Sequence, residues 1–114
     1  MALSLPFNRG QLVVLVTNGP RERVWGRLVG LDTAGVALRG MDMAAWDESL
    51  SLIRNGQGEH VSVSTRFVPM HRVECLYLDE ASSGAPSLEQ LFRNGTNLDP
   101  MEFLADPVAK RGKR

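Results

Sequence analysis

The chain is poor in the residues that most often carry chemistry. Of its 114 residues one is cysteine and two are histidine, so no internal disulfide can form and no Cys/His cluster has metal-ligand spacing. Cys75 stands in an apolar stretch, where a buried and inert thiol is expected rather than a catalytic one. Walker-type phosphate loops and a Gly-x-Ser-x-Gly nucleophile setting are both missing. These absences argue against an enzyme, and neither a metal nor a cofactor is expected. No apolar run approaches the roughly 18 residues that a spanning helix needs. Residues 1–7 lack the basic and long apolar regions of a secretion signal. No membrane partner is expected, and the expected location is the cytoplasm, of a bacterium.

Lysine is confined to positions 110 and 113. Of the 13 basic residues four lie in the last five positions, leaving nine against 13 acidic ones, a net charge of −4 for the rest of the chain. Such a body does not draw in phosphate backbones by long-range field. Nucleic-acid affinity would have to come from a local patch or from the basic tail, which by itself reads as a solvated terminus.

What is present is strand signal. Residues 11–17 (QLVVLVT) are apolar and rich in β-branched side chains, as in a largely buried strand. Asn18-Gly19-Pro20 supplies turn chemistry, and residues 24–32 alternate as a second strand. Gly26 and Gly30 inside that strand weaken it unless sharp curvature is wanted there. After a turn at 32–35, residues 36–39 read as a third strand. Met43, Trp46, Leu50 and Ile53 then recur at spacings of three and four, which predicts an amphipathic helix over 42–54. Asp42 is its expected N-cap and Asn55-Gly56 its stop. Residues 61–68 alternate as a fourth strand, Pro69 must bend the chain or lie at an edge, and residues 73–78 form the fifth strand.

Beyond residue 80 the composition changes. Residues 81–86 are linker-like, Ser87-Leu88-Glu89-Gln90 has capping-box spacing, and Asp99-Pro100 opens a further helical turn. The expected organisation is thus a β unit over 1–80, followed over 81–114 by a linker, short helices and the basic tail.

With these strands in place, Asn18-Gly19 followed by Val24-x-Gly26-x-Leu28-x-Gly30-Leu31-Asp32 resembles the first motif of the Sm-like (LSm/Hfq-type) superfamily. The Pro69-marked kink before Val73 resembles its second. The resemblance spans roughly residues 10–79 and implies a mainly β fold. That fold would be a small, strongly bent five-stranded Sm-like or SH3-like barrel, with a helix inserted between strands 3 and 4 and short helices at the C-terminus. It also implies a ring-forming homo-oligomer closed by pairing strand 4 of one subunit with strand 5 of the next. Phe67, Val68, Leu76 and Leu78 are the candidate interface residues; filling their own core is the alternative.

Function in that family is RNA binding, which makes Asp32, His71 and Arg72 the candidate RNA contacts. Each has a structural reading as well: Asp32 as a turn-former, His71 as a hydrogen-bonding side chain beside Pro69, and Arg72 as the partner of Glu74 or Asp79. Ala34 stands where the family carries a base-stacking side chain, which removes roughly 1–3 kcal/mol per base at that site. Two alternatives follow from this departure. One is an Sm-fold protein-interaction scaffold without base recognition, contacting protein through helix 42–54 or the C-terminal segment. The other is a monomeric SH3-like barrel.

Overall fold

The computed structural model describes residues 5–105. Five strands form one antiparallel sheet: β1 (Leu12–Thr17), β2 (Arg23–Asp32), β3 (Gly35–Asp42), β4 (Ser64–Pro69) and β5 (Val73–Leu78). Their order across the sheet is β4-β3-β2-β1-β5. The helices are α1 (Trp46–Arg54), α2 (Leu88–Thr96) and α3 (Pro100–Phe103).

β1 is the central buried element, with every residue from Leu12 to Thr17 out of solvent. Its side chains alternate between two cores, as the period of a strand requires. Leu12 and Val14 join Trp25, Met41, Leu50, Ile53, Phe92 and Leu104, so α1, α2 and the segment after α3 are packed on one face of the sheet. Val13 and Leu15 join Val24, Leu28, Val36, Leu38 and Val68 on the other face, against which Phe7, Val73, Leu76 and Leu78 also pack.

The sheet stays open. β4 and β5 are its two edges, they do not pair with each other, and no barrel closes. The expected Sm-like or SH3-like barrel is therefore corrected to an open five-stranded antiparallel sheet with helices on one face. The glycines expected to bend β2 for closure have other duties. Gly26 lies opposite Gly40 of β3, and a Cβ added to Gly26 would come within 2.7 Å of Gly40 Cα, so the pair permits a close approach of the two strands. Gly30 follows a bulge in which Val29 is the extra residue, and it has open space around its Cα.

Local signals fared better. Asp42 Oδ1 accepts from Ala44 N at 2.9 Å and caps a 3-10 turn at Met43–Ala45 that leads into α1. Ser87 accepts from Gln90 N at the start of α2, and Asp99 accepts from Met101 N at the start of α3, where Pro100 opens the helix. β3 runs further than residues 36–39, because Met41 packs beside Trp25 in the helix-side core. β4 begins only at Ser64, since Val61 and Val63 are spent on that same core. Cys75 is exposed rather than buried. β5 is an edge strand whose Val73, Leu76 and Leu78 serve the second core, leaving Cys75 outside it.

Candidate functional site

The three residues expected to contact RNA gather around the turn Met70–Arg72 between β4 and β5. Met70 N donates to Ala34 O in the β2–β3 turn, and Arg72 O accepts from Asn18 N in the β1–β2 loop, both at 2.9 Å. This short turn therefore ties two loops together. Asp32 is occupied locally, its Oδ1 accepting from Ala34 N at 2.8 Å in an Asx turn. The Arg72 guanidinium is turned onto the β1–β2 loop, where Nε donates to Asn18 O at 3.0 Å and a terminal nitrogen to Pro20 O at 3.4 Å. His71 is exposed. Two of the three side chains thus have structural work at the turn.

The candidate interface residues divide. Val68 is buried in the second core, and Leu76 and Leu78 pack against it. Phe67 alone stands out, 56% exposed, with its ring lying over Gly35 so that a Cβ there would meet Phe67 Cζ at 2.7 Å.

Phe67 leads to the feature that sequence reasoning missed, the state of the two sheet edges. The Met70 N–Ala34 O bond fixes the alternation of the β3–β4 ladder, in which Ala37 faces Phe67 and Arg39 faces Thr65. Counting back in twos from Met70, the backbone groups of Val68, Arg66 and Ser64 point to β3, and those of Phe67 and Thr65 point outward. Pro69 also falls on the outward set, where its missing N–H costs the ladder nothing. Among the described residues, neither Thr65 N nor Phe67 N donates a backbone hydrogen bond outside the sheet ladders, and the alternation turns both away from β3.

The other edge is differently finished. In β5 the Asp79 N–Leu12 O bond places the outward groups at Leu76 and Leu78. This strand carries a bulge with Glu74 as its extra residue, and Glu74 pairs with Arg21 at 3.0 Å. A bulge and an exposed charge are the usual means of blunting an edge. β4 has no register shift along its whole pairing with β3.

Behind the β4 edge, on the helix-side face, lies a row of residues directly opposite one another: Arg27 of β2, Arg39 of β3 and Thr65 of β4. Arg39 Nε donates to Ala105 O at 3.0 Å and a terminal nitrogen donates to Thr65 Oγ1 at 3.2 Å, which holds the guanidinium towards the edge. Arg27 Nε is buried with no hydrogen-bond partner. Among the described residues neither arginine has a carboxylate within 4.0 Å, the ion pairs being Arg21–Glu74, His60–Glu59, Arg93–Glu89 and Arg93–Asp99. Like charges facing across strands are unfavourable, and among the described residues no carboxylate neutralises this row.

No protein-family model, curated protein or solved structure matches the chain. With the sheet open and no relative to support it, the Sm-like identification is corrected, and with it the reading as an RNA-binding ring module. The two alternatives built on the same barrel, an Sm-fold scaffold and a monomeric SH3-like barrel, fall by the same finding. The basic tail invoked to assist RNA binding lies outside the described residues.

Proposed function

We propose that the protein is a protein-binding module that takes up an extended segment of another chain as a sixth strand at the β4 edge. The observation that carries this reading is the outward-facing backbone of Thr65 and Phe67, unpaired among the described residues, on an edge strand without a bulge. Strand addition gives affinity through main-chain hydrogen bonds and specificity through alternate side chains. β5 is blunted by a bulge and an exposed charge, whereas β4 has no bulge and its proline stands only at the strand's end, leaving the stretch at Thr65 and Phe67 regular. Phe67 adds an exposed aromatic surface beside the open hydrogen-bonding groups, a residue type enriched in protein interfaces relative to the rest of the surface. Helix α1 is a poorer docking surface, since its Leu50 and Ile53 are already buried in the sheet–helix core.

The test uses the full chain and a displayed library of random ten-residue peptides. Selected peptides should slow amide exchange at Thr65 and Phe67 and should lose binding to Thr65→Pro. That substitution removes an N–H that the ladder to β3 does not use and, with the side chain, the Oγ1 that accepts from Arg39. Thr65→Val, which loses only the hydroxyl, should keep binding, and circular dichroism checks that both variants fold. Failure to select any peptide, or selection of peptides that bind Thr65→Pro equally well, refutes the reading.

A further inference from the structure

We infer that the β4 edge selects a segment in which an apolar and an acidic residue alternate along one face, apolar-x-acidic in the direction of the added chain. This deepens the strand-addition reading and rests on it. An added strand that continues the antiparallel sheet would put one residue directly opposite Thr65 and another, two positions earlier in its own sequence, opposite Phe67. Both side chains would emerge on the helix-side face, because Thr65 and Phe67 are two residues apart in the same strand.

The residue opposite Thr65 extends the row Arg27–Arg39–Thr65 by one place. Arg39 is already drawn to that end by its bond to Thr65 Oγ1, and its fork still has donor capacity beyond the Ala105 and Thr65 bonds. A carboxylate arriving there meets a guanidinium that is held in place by two hydrogen bonds, so little side-chain entropy remains to be lost. Arg27 lies one strand further in, three strand spacings of about 4.8 Å each from the added strand and so too far for direct contact. Arg39 stands two spacings away, and its guanidinium already reaches Thr65 on the nearer strand. The role of Arg27 is to leave the row with excess positive charge, which the incoming carboxylate relieves. The residue opposite Phe67 meets an exposed aromatic ring and the short side chain of Ala37 behind it, a setting that favours an apolar side chain.

The probe is a pair of eight-residue, threonine-rich peptides with phenylalanine and, two positions later, either glutamate or glutamine. At low salt the glutamate peptide should bind the full chain about tenfold more tightly than the glutamine peptide, an advantage typical of a charge-assisted contact. The difference should shrink several-fold in high salt and vanish in Arg39→Gln. Because Arg39 also holds Ala105 O, Arg27→Gln serves as a second variant that leaves those bonds in place and should reduce the preference without abolishing it. Equal binding of both peptides, with Thr65→Pro still abolishing it, overturns the acidic preference and leaves strand addition standing. If neither peptide binds, or if both bind Thr65→Pro, strand addition and the preference fall together.

Discussion

Trp25 Nε1 donates to Asp79 Oδ2 at 3.0 Å, and the same carboxylate accepts from Leu88 N at 2.7 Å and Glu89 N at 2.8 Å. One side chain at the end of β5 thus satisfies the indole of a fully buried tryptophan and two of the orphan donors that open α2. Asp79→Ala should lower stability by about 2–3 kcal/mol, since it removes a helix-capping anion and strands a buried indole N–H. Asp79→Asn, which keeps one acceptor, should cost about half as much. Urea unfolding followed by tryptophan fluorescence measures both; a cost within experimental error of zero for the alanine variant contradicts this account.

Gly26 and Gly40 offer a sharper steric test. A Cβ on Gly40 would approach Gly26 Cα to 2.5 Å, against backbone that cannot swing aside. Gly26→Ala or Gly40→Ala should therefore force β2 and β3 apart and cost about 3 kcal/mol or more, the upper end of what overpacking does. Gly30→Ala is the control: nothing lies within 4 Å of its added Cβ, and the lost freedom of the unfolded chain makes a small gain of about 0.5 kcal/mol the expected outcome. Equal effects at Gly26 and Gly30 would show that the contact is not limiting.

The contrast between these glycines shows which features of the sequence could be read. Strands, caps and turns are written locally, so Asp42, Ser87, Asp99 and Pro69 announced element ends that the fold bears out. Closure of a sheet is decided by which strands end up adjacent, and a glycine needed for bending looks the same as one needed for close approach. Register is equally invisible. Nothing in the spacing of Arg27 and Arg39 says that they face one another, because that depends on the bulge at Val29 and on the turn at Asp32. The outward edge of β4 could not be foreseen either, although Pro69 hinted at it: a proline tolerated in a strand marks a position whose N–H is unused. The role of Asp79 as acceptor for Trp25 and α2 gave no signal, since those partners lie 9, 10 and 54 residues away, and the Arg72 expected beside it is turned onto Asn18 and Pro20 instead.

The helix-side core predicts its own weak point. Phe92 of α2 lies 5.4 Å from the ring of Trp25, 6.5 Å from Trp46 and 5.5 Å from Phe103, so one side chain joins the sheet to α1, α2 and α3. Its complete burial means that truncation leaves a cavity bounded by rigid rings. Phe92→Ala should cost about 3–5 kcal/mol, and the tryptophan emission should shift to the red as water reaches the indoles. A loss below about 1 kcal/mol with unchanged emission would mean that α2 is not an integral part of this core.

Arg72 and His71 stand side by side but are expected to respond very differently to substitution. Arg72 holds the β1–β2 loop through the carbonyls of Asn18 and Pro20, next to Thr17, whose buried hydroxyl accepts from Glu22 N at 3.2 Å and donates to Pro20 O at 3.1 Å. Arg72→Ala leaves those carbonyls to water and frees the loop, which should cost about 1 kcal/mol. It should also speed amide exchange at Asn18, whose N–H is bonded to Arg72 O. Lysine in place of Arg72 should recover little, because one ammonium cannot span the two carbonyls as a planar fork does. The exposed side chain of His71 makes no hydrogen bond to the described residues, and His71→Ala should stay within about 0.5 kcal/mol of the parent. Hydrogen exchange at Asn18 separates the two cases: acceleration in His71→Ala equal to that in Arg72→Ala would place the restraint in the turn as a whole and not in the guanidinium.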